Sequence, residues 1–121
     1  MSDLIKLGEN AVNAKYKAAL IPTVKKNEVL VKCARALKDN SADIIKANEI
    51  DLKNAVENGM SEAMQDRLRL TEERIDGIAE GLVQVADLPD PVGEIMEEFD
   101  RPNGMHITKV RVPMGVIGII S

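Results

Sequence analysis

Aromatic residues are nearly missing from this sequence: it has no tryptophan, one tyrosine (Tyr16) and one phenylalanine (Phe99). Bases of a single strand stack on such rings, so a platform for single-stranded nucleic acid is set aside. A basic excess is missing too, with 16 Lys and Arg against 20 Asp and Glu and a net charge of −4. No basic field is there to neutralise phosphates, and no nucleic-acid partner is expected. One cysteine, Cys33, excludes an internal disulfide framework and a cysteine-cluster zinc site, and no metal is expected. A lone thiol fits a reducing cytoplasm, which is the compartment we read. Long apolar runs are lacking as well. Residues 112–120 form the longest one, broken by Pro113 and by glycines, and a membrane helix needs about 20. The N-terminus has no apolar stretch of signal-peptide length, so no membrane partner is expected.

What is present suits a folded domain, or part of one. The chain has 121 residues, 45% hydrophobic and 30% charged. A compact fold of this length buries roughly 65% of the surface its unfolded chain exposes.

The first 87 residues read as helical. Leu4, Leu7, Ala11, Ala14 and Ala18 recur at steps of three and four, then Pro22 and Thr23 punctuate the chain. Leu30, Cys33, Ala34 and Leu37 form the next stripe. Ser41 is a candidate cap for a third helix, which carries Ile45, Asn48, Leu52 and Ala55 and stops at Gly59. Residues 61–70 make a short helical turn. Thr71 then caps a helix whose stripe is Ile75, Ile78, Leu82 and Val85, with Glu72 and Glu73 at its positive end.

The character changes at Leu88-Pro-Asp-Pro-Val-Gly, where two prolines and a glycine stop the helix. Residues 94–99 and 105–112 read as the strands of a hairpin, turning at Asn103-Gly104. Together, residues 88–114 form a proline-rich loop and hairpin. Residues 116–120, Val-Ile-Gly-Ile-Ile, have the pattern of a strand buried on both faces of a parallel sheet. The expected architecture is α/β: about four helices over residues 1–87, the hairpin, and a first sheet strand over residues 115–121.

Residue by residue, no complete active site emerges, and no catalytic residue is named. A Cys33–His106 nucleophilic pair is weighed and set aside. Cys33 lies in an apolar stripe, where cysteine behaves as a small hydrophobe, and His106 reads as a surface strand residue. Gly115-Val-Ile-Gly118 lacks the third glycine and the following helix of a dinucleotide fingerprint. Asn48 sits on an apolar stripe, and a buried amide needs partners, so it is expected to tie its helix to a neighbouring loop. Asp66, Arg67 and Arg69 precede the Thr71 cap in pairing or capping roles. Arg67 is also a candidate carboxylate ligand, because a guanidinium grips carboxylates well.

Whole phrases then become informative. Ala47-Asn-Glu-Ile-Asp51, Asn58-Gly-Met-Ser-Glu-Ala-Met-Gln-Asp-Arg-Leu-Arg-Leu-Thr71, Arg74-Ile-Asp-Gly-Ile-Ala79, Asp90-Pro-Val-Gly93 and Arg111-Val-Pro-Met-Gly-Val-Ile-Gly-Ile-Ile120 resemble the γ-glutamyl phosphate reductase family of the aldehyde dehydrogenase superfamily. The phrase over residues 61–68 is specific to that family; the one over residues 113–118 is shared more widely in the superfamily. The resemblance implies an aldehyde-dehydrogenase-like fold and an NADPH-dependent reduction of L-glutamyl 5-phosphate in proline biosynthesis. It implies that residues 115–121 begin the nucleotide-binding sheet, with Ile119 and Ile120 beside the cofactor. It also implies that this sequence is an N-terminal portion, inactive alone, because the family's nucleophilic cysteine motif is not in it. A small-molecule substrate and a homo-oligomer are expected. The rival readings are a non-enzymatic helical interaction module and a portion of another acylating aldehyde dehydrogenase that uses a coenzyme-A thioester.

Overall fold

The computed structural model describes residues 2–120. Five helices are followed by a two-stranded antiparallel sheet: α1 (Ser2–Ala18), α2 (Thr23–Asp39), α3 (Ser41–Glu57), α4 (Glu62–Leu68), α5 (Glu72–Asp87), β1 (Ile95–Asp100) and β2 (His106–Val110). The chain divides into two units. Residues 26–88 form one; among the described residues, 2–25 and 89–120 form the other.

The helical unit holds the buried core. It is made of Ile75 and the alanines at 34, 55, 79 and 86. Small side chains let helices approach closely. They also decide which face is buried. On α5 the buried residues are Ile75, Ala79 and Ala86, while Ile78 and Val85 are about half exposed. The stripe we expected through Ile78 and Val85 is therefore rotated. At about 100° per residue, positions 75, 79, 82 and 86 cluster within a narrow arc and positions 78 and 85 fall at its edge. The same geometry corrects the reading of Cys33. The burial centre of α2 runs through Leu30, Ala34 and Leu37, which puts Cys33 some 65° off centre, and its thiol is exposed.

Helix ends follow local chemistry. Gly59 has φ 76°, and the Met60 and Gly59 amides donate to the carbonyls of Ala55 and Val56, which closes α3 in a Schellman motif. The left-handed geometry explains the glycine there. Thr71 accepts from the Arg74 amide at 3.1 Å, as a cap of α5 should. Ser61 does the same for α4 through the Met64 amide. Ser41 does not cap α3. Asn40 holds the cap position, and its side chain donates back to the Ala36 carbonyl. The buried Ser41 hydroxyl donates to Glu72 Oε1 at 3.0 Å instead, joining α3 to the start of α5.

In the second unit, Thr23 donates to Asp90 Oδ2 at 2.8 Å, fixing the proline-rich loop against the first residue of α2. The hairpin pairs Asp100 with His106, Phe99 with Ile107 and Glu98 with Thr108, with a bulge between Ile95 and Glu97. Its loop is longer than a two-residue turn. Gly104 (φ 86°) donates to the Arg101 carbonyl, and the Arg101 amide donates to Met105. This is a turn around Pro102-Asn103 followed by a left-handed glycine. Residues 115–120, expected as a sheet strand, form no strand. A ladder requires a partner, and no other described segment pairs with them. Ser121, the last residue of that expected strand, lies outside the described residues. Within this unit α1 packs on neither strand, and Leu4 and Leu7 of its apolar stripe stay exposed.

Candidate functional site

The segment between α4 and α5 is held by side chains from two helices. Asn48, buried on α3, uses both halves of its amide there. Its Nδ2 donates to the Leu68 carbonyl at 2.9 Å, and its Oδ1 accepts from the Leu70 amide at 2.8 Å. A helix side chain thereby takes the place of a backbone partner for a turn. The expectation that Asn48 ties its helix to a loop is met.

Arg74 on α5 clamps the same turn from the other side. Its Nη1 donates to the Asp66 carbonyl and, at 2.6 Å, to the Arg69 carbonyl; its Nη2 meets Asp66 Oδ1 at 3.1 Å. The Asp66 carboxylate also faces Arg69 at 3.9 Å. The pairing role expected of Asp66 is thus filled, by a residue eight positions further along. These contacts form one wall of an open cleft of about 570 Å³ lined by Asp66, Arg67, Arg69, Arg74 and Ile78, among others. The Arg67 guanidinium makes no hydrogen bond or ion pair with the described residues and is exposed.

On the hairpin, His106 is not alone. Its Nδ1 lies 2.5 Å from Asp100 Oδ1 and its Nε2 lies 2.6 Å from Glu98 Oε1. His106 is a strand residue at the surface, as expected, and the two carboxylates are partners that the sequence reading did not name. Pairing across the strands puts Asp100 opposite it and Glu98 diagonal to it on the same face. Ionised carboxylates only accept, so the protonated ring, which donates from both nitrogens, is the form that satisfies both contacts. Asp100 first and then Glu98 raise its pKa above 6.5. The sign follows. A folded-state pKa above the unfolded value means the hairpin gains stability from His106 below about pH 6.5 and loses it as pH rises through the raised pKa. Following the His106 ring protons by NMR against pH should show Asp100→Asn and Glu98→Gln each lowering that pKa, Asp100→Asn more. An unchanged midpoint in both variants would contradict the geometry.

Cys33 is exposed on α2, and among the described residues no cluster of His, Cys, Asp or Glu could hold a metal ion. Ile119 and Ile120 are almost wholly exposed. No described helix is long and apolar enough to cross a membrane. Sequence reasoning missed Arg74 and the two carboxylates of His106. Their signals were present: an arginine eight residues beyond Asp66, and acids spaced by two on the strand facing a histidine.

No family model matches the chain. It is 50% identical over 120 residues to γ-glutamyl phosphate reductase of Enterococcus faecalis, covering 99% of this chain and 29% of that protein. Against γ-glutamyl phosphate reductase of Brucella suis it is 51% identical over 114 residues, covering 90% of this chain and 27% of that protein. The chain belongs with the γ-glutamyl phosphate reductases. The solved structure of that reductase from Thermotoga maritima superposes with a TM-score of 0.87 at 34% identity, covering 91% of this chain and 27% of its own. The Saccharomyces cerevisiae reductase gives 0.83 at 30% identity, covering 89% and 28%. The chain therefore spans under a third of the length of these relatives. The α/β fold expected from the sequence is the one these structures share with it.

Proposed function

We propose that the chain is the N-terminal portion of an NADPH-dependent reductase. The enzyme would convert L-glutamyl 5-phosphate to L-glutamate 5-semialdehyde and phosphate in the cytoplasm, as part of proline biosynthesis. The observation that carries this reading is the 50% identity sustained over 120 residues with a reductase of that name. Unbroken likeness through helices, turn and hairpin favours it over a free-standing interaction module. The specific phrase over residues 61–68 favours it over a thioester-using relative.

Within this portion we give Arg67 a role in binding a substrate anion, supported by its uncommitted guanidinium in an arginine-lined cleft. For the cofactor, Ile119 and Ile120 offer bare apolar surface that suits the flank of a ribose or a nicotinamide. Their aliphatic side chains offer no group for its phosphates. These residues alone do not fit the whole cofactor, so no step of the reaction is assigned through it.

The test is a chimera in which this chain replaces the matching 120 residues of the Enterococcus faecalis enzyme. It is expected to oxidise the semialdehyde with dependence on both NADP and phosphate. The 121-residue chain alone is expected to show no turnover in either direction, because its single cysteine, exposed on a helix face, does not lie in the family's nucleophilic motif. A well-folded but inactive chimera would overturn the reading. So would turnover by the chain alone that Cys33→Ser abolishes.

A further inference from the structure

We propose that the cleft walled by Arg67, Arg69 and Arg74 is a binding site for a small anion bearing phosphate or carboxylate groups. The identity of its natural ligand rests on the substrate role given above to Arg67; the site itself rests on charge and geometry.

Charge is the first argument. Three guanidinium groups and one carboxylate line the cleft, a formal excess of two positive charges, in a chain whose net charge is −4. The local sign opposes the global one. Asp66 is already counted in that excess; its carboxylate pairs with Arg74 at 3.1 Å, with Arg69 further off at 3.9 Å. Arg67 has no such partner among the described residues, and its planar fork of donors matches a phosphate or carboxylate edge.

Rigidity is the second. A site on a loose turn would lose affinity to ordering. Here the turn is held twice, by the Asn48 amide on the Leu68 and Leu70 backbone and by Arg74 on the Asp66 and Arg69 carbonyls. Arg74 thus does structural work, pairing with carbonyls that would otherwise repel an anion. Arg67 and Arg69 are left to meet a ligand. Room is the third argument. Gly77 lines the cleft on α5, and a side chain there would meet nothing within 4 Å, so the α5 wall is open.

NMR titration of the 121-residue chain with inorganic phosphate and with L-glutamate, at constant ionic strength against chloride, decides it. Saturable shifts are expected at Arg67, Arg69 and Ile78. Charged hydrogen bonds are strong enough that Arg67→Gln and Arg69→Gln should each weaken binding by about tenfold or more. Neither side chain holds the fold, so the spectra should otherwise be unchanged. Saturation by phosphate alone assigns a phosphoryl ligand, and saturation by glutamate alone assigns a carboxylate. No response beyond that to chloride, or full affinity in both variants, would overturn the site. Anion binding by the chain with an inactive chimera would leave this site standing and remove the reductase reading.

Discussion

Asn48→Leu should lower the stability of the helical unit by about 2 kcal/mol or more. The substitution removes both amide hydrogen bonds at once and strands the Leu68 carbonyl and the Leu70 amide. Each backbone group left unpaired in a buried setting costs about 1–3 kcal/mol. Leucine keeps the branching and is larger, so no cavity is left; the loss comes from the orphaned partners, with crowding at this buried site adding to it. For a domain with a total stability of about 5–15 kcal/mol this is a large fraction. Asn54→Leu, on the exposed side of the same helix, should stay within about 0.5 kcal/mol. Urea unfolding followed by circular dichroism compares them. Equal midpoints for the two variants would mean that the amide is not what holds the turn. Because this turn carries Arg69 and directly follows the end of α4 that carries Arg67, phosphate binding should weaken in Asn48→Leu under conditions where the protein remains folded.

A second large effect is expected at residues 112–120. Ile117, Ile119 and Ile120 are each more than 60% exposed, in backbone that belongs to no strand. Apolar side chains and unpaired backbone groups exposed together are a template for pairing with another strand. Fully burying each Val or Ile is worth about 1.5–3 kcal/mol. The chain should self-associate, and a shortened form ending at Pro113 should do so much less. Light scattering at matched concentrations reads this directly. A clean monomer of the 121-residue chain, unchanged by the shortening, would show that the segment is covered.

The helical elements could be read from sequence because their signals are local. Thr71 and Gly59 mark a start and a stop through hydrogen bonds and a left-handed φ that involve only the neighbouring turn. The hairpin was legible for the same reason, with proline, asparagine and glycine gathered in one loop. Asn48 could be singled out because an amide on an apolar stripe must find a partner. Arg67 could be singled out as a candidate anion ligand, although not the company it keeps.

Three matters were decided only by tertiary structure. Which side of α2 and α5 is buried depends on the neighbouring helices, and alanines let that face turn by tens of degrees from the one the larger residues suggest. Sequence spacing therefore misplaced Cys33, Ile78 and Val85. The partners of Ser41, Asp66 and His106 depend on contacts across 31, 8 and 6–8 residues, which periodicity does not encode. Residues 116–120 carry every local feature of a buried strand and form none. Composition by itself determined that this segment seeks a sheet. A strand exists only through hydrogen bonds to another strand, and no described part of the chain supplies one.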